Sequence, residues 1–128
     1  MSAPHALIID DTVTNLEVLA SLLATAGVTH TAVKDPTHAV EKLAGLSRLD
    51  VIFCDLEMPG LTGYDLLKEL RAQLGTSVPI IAYSVHTSEI AMTRKKGFDG
   101  FLAKPIDAQR FPAQLKRILN GQPVWEMS

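Results

Sequence analysis

Three aspartates, a serine and a lysine each come directly after a short apolar run, and together they have the chemistry of a phosphoryl-transfer site. They are Asp10, Asp11, Asp55, Ser84 and Lys104. Carboxylates bind hard divalent cations, whereas a hydroxyl and an ammonium group bind oxyanions. Because like charges at short range raise one another's pKa unless a cation neutralises them, the three aspartates predict a bound metal ion.

The expected metal ligands are all oxygen atoms. They are the carboxylates of Asp11 and Asp55, the carboxylate of Asp10 through a water molecule, and the backbone carbonyl of Glu57. Such a set suits Mg²⁺ or Mn²⁺ better than zinc, which favours Cys and His ligands. An incomplete protein shell leaves coordination positions for water and for a phosphoryl oxygen. The pattern therefore indicates a transfer site and not a structural metal cage.

Asp55 is the expected phosphoacceptor, because a carboxylate nucleophile forms an aspartyl phosphate. Phosphoryl transfer depends mainly on in-line positioning and on neutralising the charge of the equatorial oxygens. We expect the metal ion to bind one of these oxygens, Lys104 a second, and the Ser84 hydroxyl a third by a hydrogen bond. Each residue of the set then has a defined role.

The elements that must position these residues are five short apolar runs, which alternate with segments of helical periodicity. The runs are Ala6 to Ile9, Thr31 to Val33, Val51 to Cys54, Ile80 to Tyr83 and Phe101 to Ala103. Nearly continuous apolar strands that alternate with helices predict a parallel α/β sheet with helices on both faces. Such sheets bind ligands beyond the carboxyl ends of their strands, where all five residues are placed.

Length and composition predict one globular domain. The chain has 128 residues, of which 47% are hydrophobic and 20% charged, a balance that excludes disordered, collagenous and membrane-embedded classes. We expect residues 1–128 to form a single domain with a core at about residues 5–120. Residues 121–128 are expected to form a short C-terminal tail in which Trp125 is an anchor.

Charge and cysteine content limit the partners and the compartment. A formal net charge of −2 gives no electrostatic footprint for nucleic acid, and the run Arg94-Lys95-Lys96 is interpreted as a solvated helix face. Cys54 is the only cysteine, which excludes an intrachain disulfide and fits a reducing compartment. Neither a signal peptide nor an apolar run of spanning length is present. We expect a cytoplasmic protein without nucleic-acid or membrane partners.

Four segments in combination resemble a known family. They are Ile8-Ile9-Asp10-Asp11, Asp55-Leu56-Glu57-Met58-Pro59-Gly60 followed by Gly63, Pro79-Ile80-Ile81-Ala82 followed by Ser84, and Phe101-Leu102-Ala103-Lys104-Pro105. The chain resembles the receiver domain of two-component response regulators, of the stand-alone, chemotaxis-regulator-like type, from Ala6 to about Asn120. The resemblance implies a flavodoxin-like fold with five parallel strands in the order 2-1-3-4-5. It also implies phosphorylation of Asp55 by a histidine kinase or a histidine phosphotransfer protein.

The resemblance further implies a switch. In that family the hydroxyl, here Ser84, moves toward the phosphoryl group, and an aromatic ring, here Phe101, turns inward. This movement reshapes the face formed by the fourth helix, the fifth strand and the fifth helix, to which a downstream protein target binds. The family's peptide before the proline is cis, which here is Lys104–Pro105. We expect a monomer or weak dimer that is not an enzyme beyond its own phosphorylation and slow dephosphorylation.

The immediate surroundings of the site depart from the family pattern. Ser84 stands where Thr is commoner, and Val85 stands where a small residue is usual. His86 and Glu57 occupy positions that flank the path of the attacking water in that family. We expect Val85, His86 and Met58 to control access to the phosphoryl site. The predicted consequence is an altered aspartyl-phosphate lifetime, whose direction stays open.

Two other classes of function compete with phosphorylation. One is a constitutive adaptor that keeps the fold without taking phosphate, although degenerate receivers usually lose part of the set that is intact here. The other is an enzyme or cofactor protein, such as a haloacid-dehalogenase-type phosphatase or a flavin binder. The adjacent Asp10-Asp11 does not fit the Asp-x-Asp motif of the former, and carboxylates would repel a flavin phosphate. The sequence leaves open the cognate kinase, the target, and whether the protein is a relay intermediate or an output regulator.

Overall fold

A computed structural model describes residues 3–126. Six parallel strands form one sheet in the order β2-β1-β3-β4-β5-β6. The strands are β1 (His5–Ile9), β2 (Thr29–Val33), β3 (Val51–Asp55), β4 (Ile80–Ser84), β5 (Gly100–Ala103) and β6 (Val124–Glu126). The helices are α1 (Val13–Thr25), α2 (Ala39–Ala44), α3 (Gly63–Leu74), α4 (Ile90–Lys96) and α5 (Phe111–Leu119). Short 3₁₀ turns precede α2 at Pro36–His38 and α4 at Thr87–Glu89.

The two faces of the sheet bury separate apolar layers. Successive strand residues point to opposite faces, so Leu7 and Ile9 of β1 join one layer whereas Ala6 and Ile8 join the other. Helices α2 and α3 cover the first layer, and α1 and α5 cover the second. The predicted α/β sheet with helices on both faces is therefore confirmed. Among the residues described, no helix is both long and apolar enough to cross a membrane.

The predicted strand order 2-1-3-4-5 is confirmed, but the number of strands is not. Residues 124–126, predicted to lie in a short tail, form β6 and pair in parallel with the outer edge of β5. Val124 is fully buried, and Gly100 opposite it leaves room for the added strand. A three-residue run after Pro123 is too short for hydrophobic periodicity to reveal. Met127 and Ser128 of the predicted tail lie outside the described residues.

Close packing of α3 against the end of β3 fixes the loop after Asp55. The Gly63 N–H donates to the Leu56 carbonyl at 3.0 Å. A Cβ atom at Gly63 would lie 2.6 Å from the Asp55 carbonyl oxygen and 2.9 Å from the Leu56 Cα, both backbone atoms that cannot easily yield. Thr62 caps α3 by accepting from the Asp65 N–H. The first residue of α3 is thus packed against the backbone of the expected phosphoacceptor and of the residue that follows it.

Candidate functional site

The carboxyl ends of β1 and β3 bring the three aspartates together. The two strands are neighbours, with Ile9 paired to Cys54, so the residues that follow them share one edge of the sheet. One carboxylate oxygen from each of Asp10, Asp11 and Asp55 lies within 4.8 Å of the others. Asp10 and Asp55 are buried, whereas Asp11 is partly exposed. This is the acidic cluster that the spacing of the strands predicted.

Lys104 forms ion pairs with two of the three carboxylates. Its Nζ lies 3.0 Å from Asp55 Oδ1 and 3.2 Å from Asp10 Oδ2. The lysine follows β5, and the Lys104–Pro105 peptide is cis, as the resemblance implied. Only 14% of its side chain is exposed, so water screens these ion pairs little. The ammonium group is therefore an internal cation for the cluster.

The two buried carboxylates have opposite pKa shifts. Burial raises the pKa of Asp55 to about 6, and the nearby Asp10 charge adds to this rise, while Lys104 opposes it. Burial also acts to raise the pKa of Asp10, but hydrogen bonds from Thr12 N–H and the Tyr83 hydroxyl, together with Lys104, outweigh it and lower that pKa. Asp10 thus holds its negative charge firmly, whereas Asp55 is a carboxylate of raised basicity.

Tyr83 is a further site residue, which the sequence placed only at the end of an apolar run. Its hydroxyl donates to Asp10 Oδ2 at 2.8 Å, and the Lys104 Nζ lies 4.4 Å from the centroid of its ring. Burial and the Asp10 charge both raise the pKa of this hydroxyl, so it stays a donor. A buried tyrosine at the end of a strand needs a partner for its hydroxyl, and that need was the available signal.

The Ser84 hydroxyl is bound by the side chain of Glu57. The Ser84 hydroxyl donates to the Glu57 carboxylate oxygens at 2.7 and 3.0 Å, and Ser84 Oγ accepts from the His86 N–H at 2.9 Å. The Glu57 N–H donates to Asp55 Oδ1 at 3.2 Å, so one residue contacts both the acid and the hydroxyl. Glu57 was expected to bind the metal ion through its backbone carbonyl and to flank the path of the attacking water, but the contact of its side chain with Ser84 was not predicted.

Known proteins match this arrangement over most of the chain. Residues 6–116 match the family described as the response regulator receiver domain. The chain belongs to this family. Solved structures that it resembles include the receiver domain of the sensor histidine kinase PA1611 from Pseudomonas aeruginosa PAO1, with 29% identity over 93% of this chain and 99% of that one and a TM-score of 0.80. That structure is described with a magnesium ion coordinated in its active-site cleft.

Two further relatives show the range of the family. The chemotaxis protein CheY4 from Vibrio cholerae is 26% identical, covers 91% of this chain and 99% of its own, and has a TM-score of 0.82. Protein PetR from Rhodobacter capsulatus is 31% identical over 95% of this chain. The receiver spans about half the length of PetR, at 51%. Receiver domains of this kind act in two-component signalling, take phosphate on an aspartate, and interact with histidine kinases and downstream effectors.

The receiver's acidic cluster opens into a cavity of about 440 Å³. Its lining includes Asp11, Asp55, Glu57, Val85 and Lys104. Val85 is 59% exposed, which places it at the rim. This position agrees with the predicted control of access, although the effect on phosphate lifetime stays a prediction.

Two other predicted access residues lie beside this cavity. Met58 is buried and lines a neighbouring cavity of about 520 Å³, together with Asp11, Glu57 and Glu89. His86 Nε2 lies 3.9 Å from Glu57 Oε1 on the exposed side. Neither Met58 nor His86 lines the cavity at Asp55, and their control of access stays a prediction.

Phe101, the predicted switch aromatic, is already inside the protein. Its ring is fully buried in the layer below α3, and Trp125 of β6 packs against the same layer. The predicted inward turn of this ring stays a prediction.

The raised pKa of Asp55 predicts a pH-dependent cost to folding. Between pH 4 and pH 6 the folded receiver binds the Asp55 proton more tightly than the unfolded chain, so stability falls as pH rises through this window. We expect Asp55→Asn to stabilise the metal-free protein at pH 8 by about 1–3 kcal/mol and to have little effect below about pH 4. Urea unfolding in EDTA at both pH values measures this difference.

The matched control is Asp50→Asn, which should have the opposite sign. Burial acts to raise the pKa of Asp50, but hydrogen bonds from Arg48 and the His5 N–H outweigh it and lower that pKa. Its negative charge therefore stabilises the fold above its unfolded pKa, and this contribution is lost as pH falls. A wild type that is more stable than Asp55→Asn at pH 8 without metal would contradict the assigned strain at Asp55.

Proposed function

We propose that Asp55 is the phosphoacceptor of this receiver and takes a phosphoryl group from a histidine kinase or a histidine phosphotransfer protein. The observation that carries the proposal is the position of Asp55. Its carboxylate lines the open cavity, has a raised pKa, and lies 3.0 Å from the Lys104 ammonium group. Asp10 is fully buried, held by Tyr83 and Lys104, and does not line that cavity. Asp11 lines it but lacks the contact with Lys104.

A divalent cation fits the donor set. Asp10, Asp11 and Asp55 each offer a carboxylate oxygen within 4.8 Å of the others, and we expect the Glu57 carbonyl to complete the protein ligands. Oxygen ligands alone favour Mg²⁺ or Mn²⁺. When bound, the cation neutralises charge on the phosphoryl oxygens and helps to orient them. The magnesium described in the PA1611 receiver supports this assignment.

The chain's own residues carry the transfer. An Asp55 oxygen forms the new bond to phosphorus while the bond from phosphorus to the donor histidine nitrogen breaks, and the nitrogen keeps the electron pair. Lys104 exchanges part of its contact with Asp55 for a phosphoryl oxygen. Ser84 must leave the Glu57 carboxylate before its hydroxyl can donate to the phosphoryl group. Release of this hydrogen bond is the step that links phosphorylation to the end of β4.

The expected partners follow from the general role of receiver domains in two-component signalling. We place the downstream protein target on the face formed by α4, β5 and α5, which β6 now borders. The protein acts as a monomer or weak dimer, without nucleic-acid or membrane partners, and is not an enzyme beyond its own phosphate chemistry. The fully buried thiol of Cys54, whose pKa is raised by that burial, suits a reducing, cytoplasmic location.

Intact mass after incubation with acetyl phosphate tests the proposal. We expect the wild type to gain roughly 80 Da only when Mg²⁺ is present, the mass of one phosphoryl group. Asp55→Asn should show no gain, and Asp50→Asn is the matched control because Asp50 lies at the opposite end of β3. No gain in the wild type would favour the constitutive adaptor, whereas a gain in Asp55→Asn would move the acceptor to another residue.

Removal of the Glu57 carboxylate should speed phosphorylation. Glu57→Ala keeps the backbone carbonyl, frees the Ser84 hydroxyl, and removes a negative charge that faces an anionic phosphodonor. We expect a rate with acetyl phosphate about three- to tenfold above that of the wild type. Glu89→Ala is the control, since Glu89 accepts from the Tyr64 hydroxyl instead of Ser84. Equal rates for wild type and Glu57→Ala would show that Glu57 does not restrain the site.

A further inference from the structure

The outer edge of β5 is a strand-binding site that this chain fills with its own β6. Three residues pair in parallel register, Gly100 with Val124, Phe101 with Trp125, and Leu102 with Glu126. An uncovered β5 would present a row of unpaired N–H and C=O groups, which is a template for an added strand. Backbone pairing supplies affinity in such sites, and pockets for alternate side chains supply specificity.

Each residue of β6 meets a complementary feature of the receiver. Val124 is fully buried in the same layer as Leu115 and Ile118 of α5. The ring of Trp125 packs on the opposite face, where the Arg94 guanidinium of α4 lies 5.3 Å from the ring centroid. The site therefore selects an aliphatic residue followed by an aromatic one.

The third position selects an acid. Glu126 Oε2 lies 2.8 Å from Arg110 Nη2, and Glu126 Oε1 lies 3.3 Å from Arg117 Nη1. Two cationic side chains, one at the start of α5 and one near its end, thus converge on a single carboxylate. A basic residue at this position of an added strand would face the positive charges of Arg110 and Arg117.

The close approach of the strand requires glycine in β5. A Cβ atom at Gly100 would lie 2.7 Å from the Val124 carbonyl oxygen. The neighbouring Ile81 Cδ1 would be 3.0 Å away, but it is the end of a flexible side chain. A larger residue at position 100 would therefore block strand addition more than it would disturb the core.

The resident strand is only three residues long, and its ion pairs are partly exposed. Its two ion pairs involve arginine side chains that are 45% and 48% exposed, and exposed ion pairs add little stability. The residues that join it to α5, Asn120 to Pro123, are exposed. Such a segment opens locally far more easily than the central strands. The pairing of β6 with β5 depends largely on the high local concentration of β6 that its short connection to α5 provides.

We propose that the β5 edge is a docking site for an extended partner segment with an aliphatic, aromatic and acidic residue in succession, and that β6 is a resident ligand that such a partner displaces. The site borders the face assigned to the downstream target but does not depend on phosphate chemistry at Asp55. Its partner is a protein that carries this short motif in an exposed, strand-forming segment.

A fluorescein-labelled peptide with the sequence of residues 122–128 tests the site on full-length protein. Glu126→Lys weakens β6 in the intact chain by placing a third positive charge beside Arg110 and Arg117. We expect the peptide to bind this variant at least roughly tenfold more tightly than the wild type, because the tethered competitor is weakened. A peptide that carries lysine in place of its glutamate should bind the Glu126→Lys variant more weakly than the glutamate peptide does, because its lysine faces Arg110 and Arg117.

Gly100→Ala is the matched variant that separates strand addition from non-specific binding. It should also release β6, seen as faster amide exchange at residues 124–126, yet bind no peptide because its Cβ atom blocks the edge. Circular dichroism and urea unfolding verify that each variant is folded. Equal peptide binding by Gly100→Ala and Glu126→Lys, or no binding by Glu126→Lys, would overturn the proposal. Dimerisation of Glu126→Lys that excludes the peptide would overturn it in favour of strand exchange between copies.

Discussion

Repulsion among three carboxylates at one edge of the sheet is the constraint on which the rest of the site depends. Asp10, Asp11 and Asp55 are brought within 4.8 Å by the pairing of β1 with β3. Lys104 is the internal cation that makes this arrangement tolerable, because it contacts both buried acids from the end of β5. Its single charge leaves the cluster negative, so a divalent cation has a reason to bind. Binding of that cation would allow the Lys104 ammonium group to exchange its contact with a carboxylate for one with a phosphoryl oxygen.

Much of this architecture could be predicted because backbone geometry decides it. Parallel strands place the residues that follow them at one edge, so the positions of Asp10, Asp55, Ser84 and Lys104 were accessible from the spacing of apolar runs. Side-chain contacts across the edge were not accessible in this way. The hydrogen bond from the Tyr83 hydroxyl to Asp10 depends on how far β4 extends relative to β1. Apolar periodicity does not encode this offset.

The features that could not be predicted from the sequence are side-chain contacts at the rim of the site and one edge strand. Glu57 was assigned a ligand role through its carbonyl, yet its side chain holds the Ser84 hydroxyl, because both lie at the rim where the loop after β3 meets the end of β4. β6 was missed because its stability comes from its partners and not from its own propensity. Val124, Trp125 and Glu126 become a strand only where Gly100 and the arginines of α4 and α5 accept them.

Fluorine NMR with beryllofluoride, a mimic of the phosphoryl group, shows directly whether this edge of the sheet binds such a group. Asp55, Lys104 and a divalent cation should all be needed to hold this mimic, since each neutralises or binds a different part of it. We expect bound resonances for the wild type only with Mg²⁺, none for Asp55→Asn, and weaker ones for Lys104→Met. Bound resonances without Mg²⁺, or none in the wild type with it, would contradict the claim that this edge of the sheet is a cation-dependent phosphoryl site.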